Sequence, residues 1–593
     1  MFSLFRHFKK LDWLFLFIAA GLIVLQVYLE LLMPEYTENL TVFVTSAGTD
    51  QSEVWKNGGM MLLCAGGSLL SAITCSFFIS YVASDFSATL REKLYRHILS
   101  FSNKEIHHFH TASLITRTTN DIVQVQNFVA MGTQMLIKAP LMAIWAIIKI
   151  SNSNLSWTLA TVIVIVIIAI VVVLGIIFCI PKFTKIQKLT DDLNERAREN
   201  VSGVRIVRAF NAEEHQKTKY ENVNNEITGT HLFVSRITGL LMPVLNLAMN
   251  GLTLVIYWIA ALLINNIALD TSSTAAMMEG IAERANVIAK MTVFSQYSMQ
   301  VIMSFLMLMF VFLILPRTLV SAKRIKEVLK TESTIKDGEN NRELQENEIP
   351  AIVFDHVNFS YAGDSHYAVS DINFVINKGE TVAFIGSTGC GKTTLINLLL
   401  RYYDVTSGEV MVNGVDVRNY TLSGLRKKFS YAPQKASLLK GTIKSNVGYG
   451  QREIDEDRLG KALSCACCDF VNELEKGVDS EVAQGGHNYS GGQRQRLSIA
   501  RAIYKDADIL VFDDTFSALD FKTDSQVRRN IHNECEGKTV LIVAQRIGTI
   551  RNADKIVVMD KGKVVGIGTH EELIKSNDVY REIALSQLSE EEL

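Results

Sequence analysis

Two patterns of hydrophobic residues divide this chain. Up to about residue 320 the apolar residues form long runs, and six of these come close to or exceed the roughly 20 residues with which an α-helix crosses a bilayer. The predicted spans are Leu11–Met33, Gly58–Val82, Thr133–Ile150, Leu155–Ile180, Gly239–Asn265 and Thr292–Leu315. The fourth run is uncharged and apolar on every side, so its residues must face lipid or other helices.

The pattern changes after residue 330. Residues 331–350 are charged and polar without an apolar period, which is typical of a linker. Beyond them, short apolar runs such as Thr381–Ile385 and Ile509–Phe512 predict buried strands. The predicted fold is an α-helical transmembrane domain with six spans over residues 1–330, followed by an α/β domain over residues 351–593.

Basic residues predict which side of the membrane each loop faces, because cytoplasmic loops carry an excess of Lys and Arg. Such residues lie before the first span, after the second and after the fourth. They are Arg6, Lys9, Lys10, Arg91, Lys93, Arg96, Lys182, Lys185, Arg196, Arg198, Arg205 and Arg208. The loop between the first two spans is acidic instead. We therefore expect both termini on the cytoplasmic side of the cell membrane.

Two features of the predicted spans leave alternatives open. Met299, Met303 and Met307 recur every four residues and share one helical face. This face either lines a cavity that accepts ligands of several shapes or packs against another helix. Lys138 is a charge within the third predicted span. It either contacts a substrate or extends its ammonium group to the lipid headgroups.

Length and composition agree with two modules. The chain has 593 residues, more than a single hydrophobic core usually organises. Its formal net charge of −2 gives no indication of nucleic-acid binding. The eight cysteines show no spacing typical of a metal site or a disulfide framework.

The candidate chemistry lies in the C-terminal domain. Residues 386–393 read Gly-Ser-Thr-Gly-Cys-Gly-Lys-Thr, which fits GxxxxGK[ST] directly after a predicted strand. In such a phosphate-binding loop, backbone N–H groups and the next helix N-terminus face the phosphates. Lys392 is predicted to reach the β- and γ-phosphates and Thr393 to bind Mg²⁺. The predicted nucleotide-binding residues of this loop are Gly386, Ser387, Thr388, Gly389, Cys390, Gly391, Lys392, Thr393 and Thr394.

Two further motifs accompany this loop. Asp513 follows the apolar strand Ile509–Phe512, where it is placed to bind Mg²⁺. A predicted helix opens with a Ser-Gly-Gly-Gln motif, and its N-terminus suits a phosphate. The motif residues are Ser490, Gly491, Gly492 and Gln493. The three motifs together resemble those of ATP-binding-cassette (ABC) transporters, in which Ser-Gly-Gly-Gln is the signature. In that family two ATPase domains meet head to tail, so the resemblance implies a partner.

The same resemblance implies roles for other positions. Tyr361 resembles the aromatic residue that stacks on adenine, and Gln434 resembles the glutamine that senses Mg²⁺. Asp520 ends the loop Ser517–Asp520, which resembles the segment through which the two nucleotide sites communicate. The family's exporters carry coupling helices below the membrane that dock on ATPase domains, and Gly203–Phe210 resembles the second of these. The implied cofactors are ATP and Mg²⁺.

Two positions depart from the family. Where most members carry a Glu that positions the attacking water, this chain has Asp514, and where they carry a His that contacts the γ-phosphate, it has Gln545. Because the signature is intact, the chain resembles the degenerate half of bacterial heterodimeric multidrug exporters. The resemblance implies export of small amphipathic compounds, together with a second half-transporter that carries the consensus Glu and His. Alternatives are a peptide or lipid exporter of the same build and a non-hydrolysing regulatory subunit.

Overall fold

The computed structural model describes residues 4–45, 51–151, 155–267, 274–339, 349–361 and 366–589. The chain forms two compact units. The first comprises Met1–Arg96 and Ala112–Lys330, and the second comprises His97–Thr111 and Thr331–Leu593. The segment His97–Thr111 therefore packs with the C-terminal part of the chain, although along the sequence it lies inside the first 330 residues.

The first 330 residues are mainly helical. Six helical stretches among the described residues are long and apolar enough to cross a membrane, which confirms the six predicted spans. The helices are α1 (Lys10–Thr45), α2 (Gln51–Leu99), α3 (Asn103–Phe109), α4 (Thr111–Thr118), α5 (Asn120–Asn127), α6 (Thr133–Ser151), α7 (Leu155–Ser202), α8 (Val204–Ala209), α9 (Glu213–Asn266) and α10 (Thr274–Lys330). A short turn at Phe5–His7 precedes α1, and a π-helical turn at Phe128–Gly132 joins α5 to α6.

The long helices extend well beyond the predicted spans. Helix α9 has 54 residues, which at 1.5 Å per residue is about 80 Å and more than twice the hydrocarbon thickness of a bilayer. Hydropathy locates only the part of a helix that suits lipid, whereas the backbone continues to hydrogen-bond as a helix through the charged sequence beyond it. Helices α7 and α9 pack along each other and enclose Cys179, Ile186 and Val234.

Helices α1, α6 and α10 form the centre of the first unit. Small and β-branched side chains let these helices approach closely, and Ile23, Ala146 and Val301 are fully enclosed. The hydroxyl of Tyr297 in α10 donates a hydrogen bond to the carbonyl of Leu31 in α1, at 3.0 Å. A polar contact of this kind helps to fix the register of helices that pack mainly through apolar side chains.

The second unit contains three sheets among its described residues. A four-stranded antiparallel sheet has the order β2-β1-β4-β5, a six-stranded sheet has the order β12-β11-β3-β10-β9-β6, and β7 pairs with β8. The five strands from β11 to β6 run parallel, and β12 is antiparallel at the edge. The strands are β1 (Ile352–Phe359), β2 (Val369–Ile376), β3 (Thr381–Gly386), β4 (Ser407–Val412), β5 (Val415–Asp416), β6 (Phe429–Ala432), β7 (Gly441–Thr442), β8 (Glu481–Val482), β9 (Ile509–Asp513), β10 (Thr539–Val543), β11 (Lys555–Asp560) and β12 (Lys563–Gly568).

Helices cover both faces of the six-stranded sheet, which agrees with the predicted α/β class. They are α11 (Lys392–Leu399), α12 (Leu422–Lys427), α13 (Ile443–Val447), α14 (Glu456–Cys465), α15 (Gly491–Lys505), α16 (Phe521–Glu534), α17 (Ile547–Ile550), α18 (His570–Ser576) and α19 (Asp578–Leu585). One core packs α11 and the antiparallel sheet against the parallel strands, and the other packs α14, α15 and α19 on the opposite face. Burial on both faces explains why β9 and β10 are apolar without alternation.

Two segments that precede the sheets join this unit. Glu105 in α3 is buried and accepts hydrogen bonds from the backbone N–H groups of Ser102 and Thr334, at 2.9 and 3.3 Å. In the predicted linker, Ile335 is buried and the N–H of Gly338 donates to a backbone carbonyl at 3.0 Å. The start of the predicted linker is therefore packed, whereas residues 340–348 lie outside the described residues.

Candidate nucleotide-binding site

The candidate site lies where four neighbouring parallel strands end. Strands β3, β10, β9 and β6 are adjacent, and open α/β sheets bind ligands at the carboxyl ends of their strands. A cavity of about 320 Å³ opens at this edge. Its lining residues are Tyr361, Ala368, Thr388, Gly389, Gly391, Lys392, Thr393, Thr394, Gln434, Asp514, Val543 and Gln545. All of these except Ala368 and Val543 were predicted from the sequence, so the fold brings most of the predicted residues together.

The loop between β3 and α11 requires glycine at two positions. Gly391, which precedes α11, has a φ of 103°, and a Cβ there would lie 2.6 Å from a methyl carbon of Val369. A Cβ at Gly386 would lie 2.1 Å from the carbonyl oxygen of Met559. The close packing holds the N-terminus of α11 toward the cavity, where its free N–H groups suit phosphate oxygens.

Among the described residues that line the cavity, Lys392 has the one cationic side chain. Its ammonium group donates hydrogen bonds to the carbonyl oxygens of Gly386 and Ser387, at 2.8 and 2.9 Å. The buried thiol of Cys390 lies 3.5 Å from the same nitrogen. The loop therefore wraps around a positive charge, which is the arrangement that a polyphosphate requires.

Oxygen ligands suited to Mg²⁺ lie beside this loop. The hydroxyl of Thr393 donates to Asp513 Oδ1 at 3.1 Å, and the hydroxyl of Tyr431 lies 3.5 Å from Asp513 Oδ2. Burial raises the pKa of the Asp513 carboxyl, and the hydrogen bond from Thr393 opposes this shift. A hydroxyl and a carboxylate are hard ligands of the kind that Mg²⁺ prefers. Thr393 and Asp513, with Gln434 nearby, fit the magnesium ion that accompanies a bound nucleoside triphosphate.

Asp514 and Gln545, the two residues that the sequence analysis singled out as departures from the family, are in direct contact. Gln545 Nε2 donates to Asp514 Oδ2 at 2.9 Å, and Gln434 Nε2 donates to the same oxygen at 3.2 Å. Asp514 is buried and has a φ of 49°. The hydroxyl of Ser517 donates to its carbonyl at 2.8 Å, which stabilises the turn after β9. The neutral amides of Gln434 and Gln545 thus hold the carboxylate of Asp514 in the wall of the cavity.

Tyr361 also lines the cavity. Its hydroxyl lies 3.0 Å from Thr394 Oγ1. Its ring packs edge to face against Phe359 and Tyr403, with centroid distances of 4.8 and 5.3 Å. These contacts position an aromatic ring beside the phosphate-binding loop, and stacking on adenine stays a prediction.

The signature residues lie outside this cavity. Ser490 precedes α15 and forms a capping box with Gln493, because Ser490 N donates to Gln493 Oε1 at 2.9 Å and Gln493 N donates to Ser490 Oγ at 3.3 Å. Gly491 is exposed, and a Cβ there would meet no described atom within 4 Å. Asp520 also caps a helix, accepting from Thr523 N at 3.0 Å, and this contact lowers the pKa of its carboxyl. Of the described residues around the cavity, none belongs to the signature or is Asp520.

No sequence motif pointed to Gln587, which holds the loop that carries Gln545. Gln587 Nε2 donates to the carbonyl of Gln545 at 2.7 Å, and Ile547 N donates to Gln587 Oε1 at 2.8 Å. Arg546, between them, donates to the carbonyls of Leu519 and Ser517 at 3.3 and 3.2 Å. A lone glutamine near the end of a sequence carries no local signal, because its role depends on contacts with residues far along the chain.

Comparisons with known proteins agree with this geometry. The family described as "ABC transporter transmembrane region" matches residues 16–279, and the family described as "ABC transporter" matches residues 369–517. The chain is 34% identical over 543 residues to an uncharacterized ABC transporter ATP-binding protein of Mycobacterium tuberculosis, covering 91% of this chain and 90% of the relative.

Two further relatives have more specific names. A probable multidrug resistance ABC transporter ATP-binding/permease protein of Bacillus subtilis is 30% identical, over 83% of this chain and 81% of that protein. An ATP-dependent lipid A-core flippase of Syntrophus aciditrophicus is 30% identical, over 90% of this chain and 85% of that protein.

Among solved structures, a bacterial Atm1-family ABC exporter with ATP bound has the same fold. Its TM-score is 0.77 at 22% identity, covering 97% of this chain and 98% of that one. Six spans precede a parallel sheet whose strand ends carry the phosphate-binding loop, and the sequence relatives span nearly the whole chain. This protein therefore belongs to the ABC transporter family and has the exporter architecture, with a transmembrane domain followed by an ABC ATPase domain.

Proposed function

We propose that this chain is one half of a heterodimeric, ATP-driven exporter, and that its own nucleotide site is degenerate. The observation that carries this proposal is the contact between Asp514 and Gln545. The two residues that depart from the family lie side by side at one cavity. Both substitutions would therefore affect reaction at the same γ-phosphate of a bound ATP.

Each departure removes a different part of the hydrolytic machinery. Asp514 is one methylene shorter than Glu, a loss of about 1.5 Å of reach, and a general base must come within about 2.6–3.2 Å of its target or act through one water. Gln545 can hydrogen-bond a phosphate but cannot become a cation as negative charge develops. The site therefore retains what ATP and Mg²⁺ binding requires and lacks what fast turnover requires.

The exposed signature supports the need for a partner. Gly491 lies at an open helix N-terminus outside the chain's own cavity. In the proposed head-to-tail arrangement it closes over ATP held by the partner, whose consensus Glu and His hydrolyse it. Helix α8, which we propose is the second coupling helix, and the residue after it also present apolar side chains without cover, since Ile206 and Phe210 are 66% and 79% exposed. These side chains suit a docking site on the partner's ATPase domain.

The proposed substrates are small amphipathic compounds, exported across the cytoplasmic membrane of a bacterium with both termini of the chain on the cytoplasmic side. The name of the Bacillus subtilis relative favours multidrug efflux. The name of the Syntrophus relative favours a lipid exporter with the same architecture. A peptide exporter or a non-hydrolysing regulatory subunit would have this architecture as well.

Purification of the chain, with identification of whatever stays bound in detergent, tests this proposal. The chain alone should bind ATP with Mg²⁺ and should hydrolyse it far below the typical enzyme range of about 1–10³ s⁻¹. A second half-transporter with the consensus Glu and His should co-purify and restore turnover. Turnover within the typical range by a verified homodimer would overturn the degenerate-site proposal.

A further inference from the structure

A half-buried ion pair lies within the membrane-spanning helices. Lys138 Nζ in α6 is 2.9 Å from Glu30 Oε1 in α1, and the side chains are 14% and 18% exposed. Both residues lie within predicted spans. The sequence left open whether the Lys138 ammonium contacts a substrate or extends to the headgroups, and the structure adds a contact with the carboxylate of Glu30. Ionised groups at membrane depth are costly, so a pair of this kind indicates a functional site.

Three further polar side chains surround Glu30. Gln26 Nε2 and Ser68 Oγ donate to the same oxygen, Glu30 Oε1, at 2.9 and 3.3 Å. Gln300 Nε2 lies 3.5 Å from the backbone carbonyl of Glu30. Helices α1, α2, α6 and α10 each contribute to this group. We name these five residues (Gln26, Glu30, Ser68, Lys138 and Gln300) the Glu30 cluster.

The Glu30 cluster has unused acceptors. The side-chain oxygens of Gln26 and Gln300 are buried and have no hydrogen-bond partner among the described residues. Gln26 is only 6% exposed, so a lost hydrogen bond there is costly. Both unpartnered atoms are acceptors, so the group that satisfies them is a donor. Beside a carboxylate, a donor that also carries positive charge gains most.

We infer that the Glu30 cluster binds the ammonium group of amphipathic amine substrates. This inference rests on the proposed export function and names the class of substrate. The substrate N–H groups replace the Lys138 ammonium at Glu30 and complete the hydrogen bonding of Gln26 and Gln300. Between transport cycles Lys138 neutralises Glu30, so the substrate competes with an internal cation and binds reversibly.

An anionic headgroup suits the cluster less well. Lys138 alone would attract it, but Glu30 and the two unpartnered amide oxygens would face its oxygens and repel them.

The partly exposed edge of the ion pair also requires cover, because lipid solvates a charge poorly. In the proposed exporter the second half-transporter would supply this cover.

Three probes with one aromatic body test the inference: a primary amine, an alcohol and a sulfonate. Their affinities are measured by equilibrium titration of the purified heterodimer in detergent, and ATP-dependent uptake is measured in vesicles. Glu30→Gln should weaken binding of the amine at least about tenfold relative to the alcohol, since a hydrogen bond to a charged group is lost. Lys138→Met should tighten binding of the amine, because it removes the competing cation.

The chain offers a matched control, and a double variant of the ion pair keeps the charges balanced. Glu35 and Lys149 form a second ion pair on the same two helices, and their side chains are about 40% exposed. Glu35→Gln with Lys149→Met should leave the amine-to-alcohol affinity ratio unchanged. Glu30→Gln with Lys138→Met leaves no uncompensated charge, so it keeps the fold and should still lose the preference for the amine.

The outcomes separate this inference from the proposed function. An unchanged affinity ratio in the folded double variant would show that the pair is structural and overturn the inference. Selective loss of sulfonate binding in Lys138→Met would overturn it in favour of an anion site. If the unmodified heterodimer binds the amine selectively but transports no probe with ATP, the export proposal fails and the binding site stands.

Discussion

At the scale of single residues, the distinctive feature is the contact between Asp514 and Gln545. The turn after β9 and the loop after β10 place these side chains 2.9 Å apart. Residues that act on one phosphate as a unit show strongly non-additive effects. In the proposed degenerate site, restoring only one of them would leave either the water or the phosphate unsupported.

We therefore expect Asp514→Glu alone to change turnover little, and Asp514→Glu with Gln545→His to increase it. The measurement is the steady-state ATPase rate of the heterodimer whose partner lacks its own catalytic Glu, so that only this site can act. The control is the same heterodimer in which this chain keeps both Asp514 and Gln545. Full turnover from Asp514→Glu alone would contradict the two-defect account.

Gln587 is a positioning residue in the same network. Its two hydrogen bonds hold the backbone on either side of Arg546. At about 1 kcal/mol net each, their loss amounts to about 2 kcal/mol, or up to about 30-fold in rate.

In the Asp514→Glu, Gln545→His background, Gln587→Ala should lower the ATPase rate by up to that factor. Ser586→Ala is the control, because among the described residues its hydroxyl donates only to the nearby carbonyl of Ile583. Equal rates for the two variants would show that the hydrogen bonds of Gln587 have no part in positioning Gln545.

At the scale of secondary-structure elements, the N-terminus of α15 is the part that we propose serves the partner. A side chain at Gly491 meets no described atom of this chain, so its substitution should leave this fold and this cavity intact. Any loss of activity then reports on what approaches from outside.

Gly491→Asp should lower the ATPase rate of the heterodimer at least about tenfold, because a carboxylate would face the partner-held γ-phosphate and like charges in an interface cost several kcal/mol. ATP binding to this chain's own loop should persist, as measured by titration with a fluorescent ATP analogue. Gly460→Asp is the matched control, since Gly460 is also exposed and a Cβ there also meets nothing within 4 Å. Retained activity in Gly491→Asp would show that the signature does not serve a competent site.

At the scale of the whole molecule, the distribution of basic residues predicts the direction of insertion. Val44 at the end of α1 and Val201 at the end of α7 offer a matched pair of exposed positions, at 70% and 76%. A thiol reagent that cannot cross membranes should label Val44→Cys in intact cells and Val201→Cys only after permeabilisation. The native thiols give little background, because seven of the eight are buried. The reverse labelling would contradict cytoplasmic termini.

The helices and the phosphate-binding loop were predictable because their causes are local. A span needs only enough consecutive apolar residues, and the loop needs glycines and a lysine at fixed spacing, so both appear in the sequence. The structure confirmed the six spans and the α/β class. The lengths of the helices were not predictable from apolar runs, since the charged continuation of α9 is helical without being apolar.

The sequence by itself determined which residues could bind a nucleotide, because each motif is written in adjacent positions. Only the tertiary structure decided which of them meet: the parallel order of β3, β10, β9 and β6 brings Lys392, Gln434, Asp514 and Gln545 to one cavity and leaves Gly491 outside it. Likewise, Glu30 lies 108 positions from Lys138 along the chain, and only the packing of α1 against α6 makes them an ion pair. Such contacts depend on how the elements pack in space. No local pattern of residues shows which distant side chains this packing brings together.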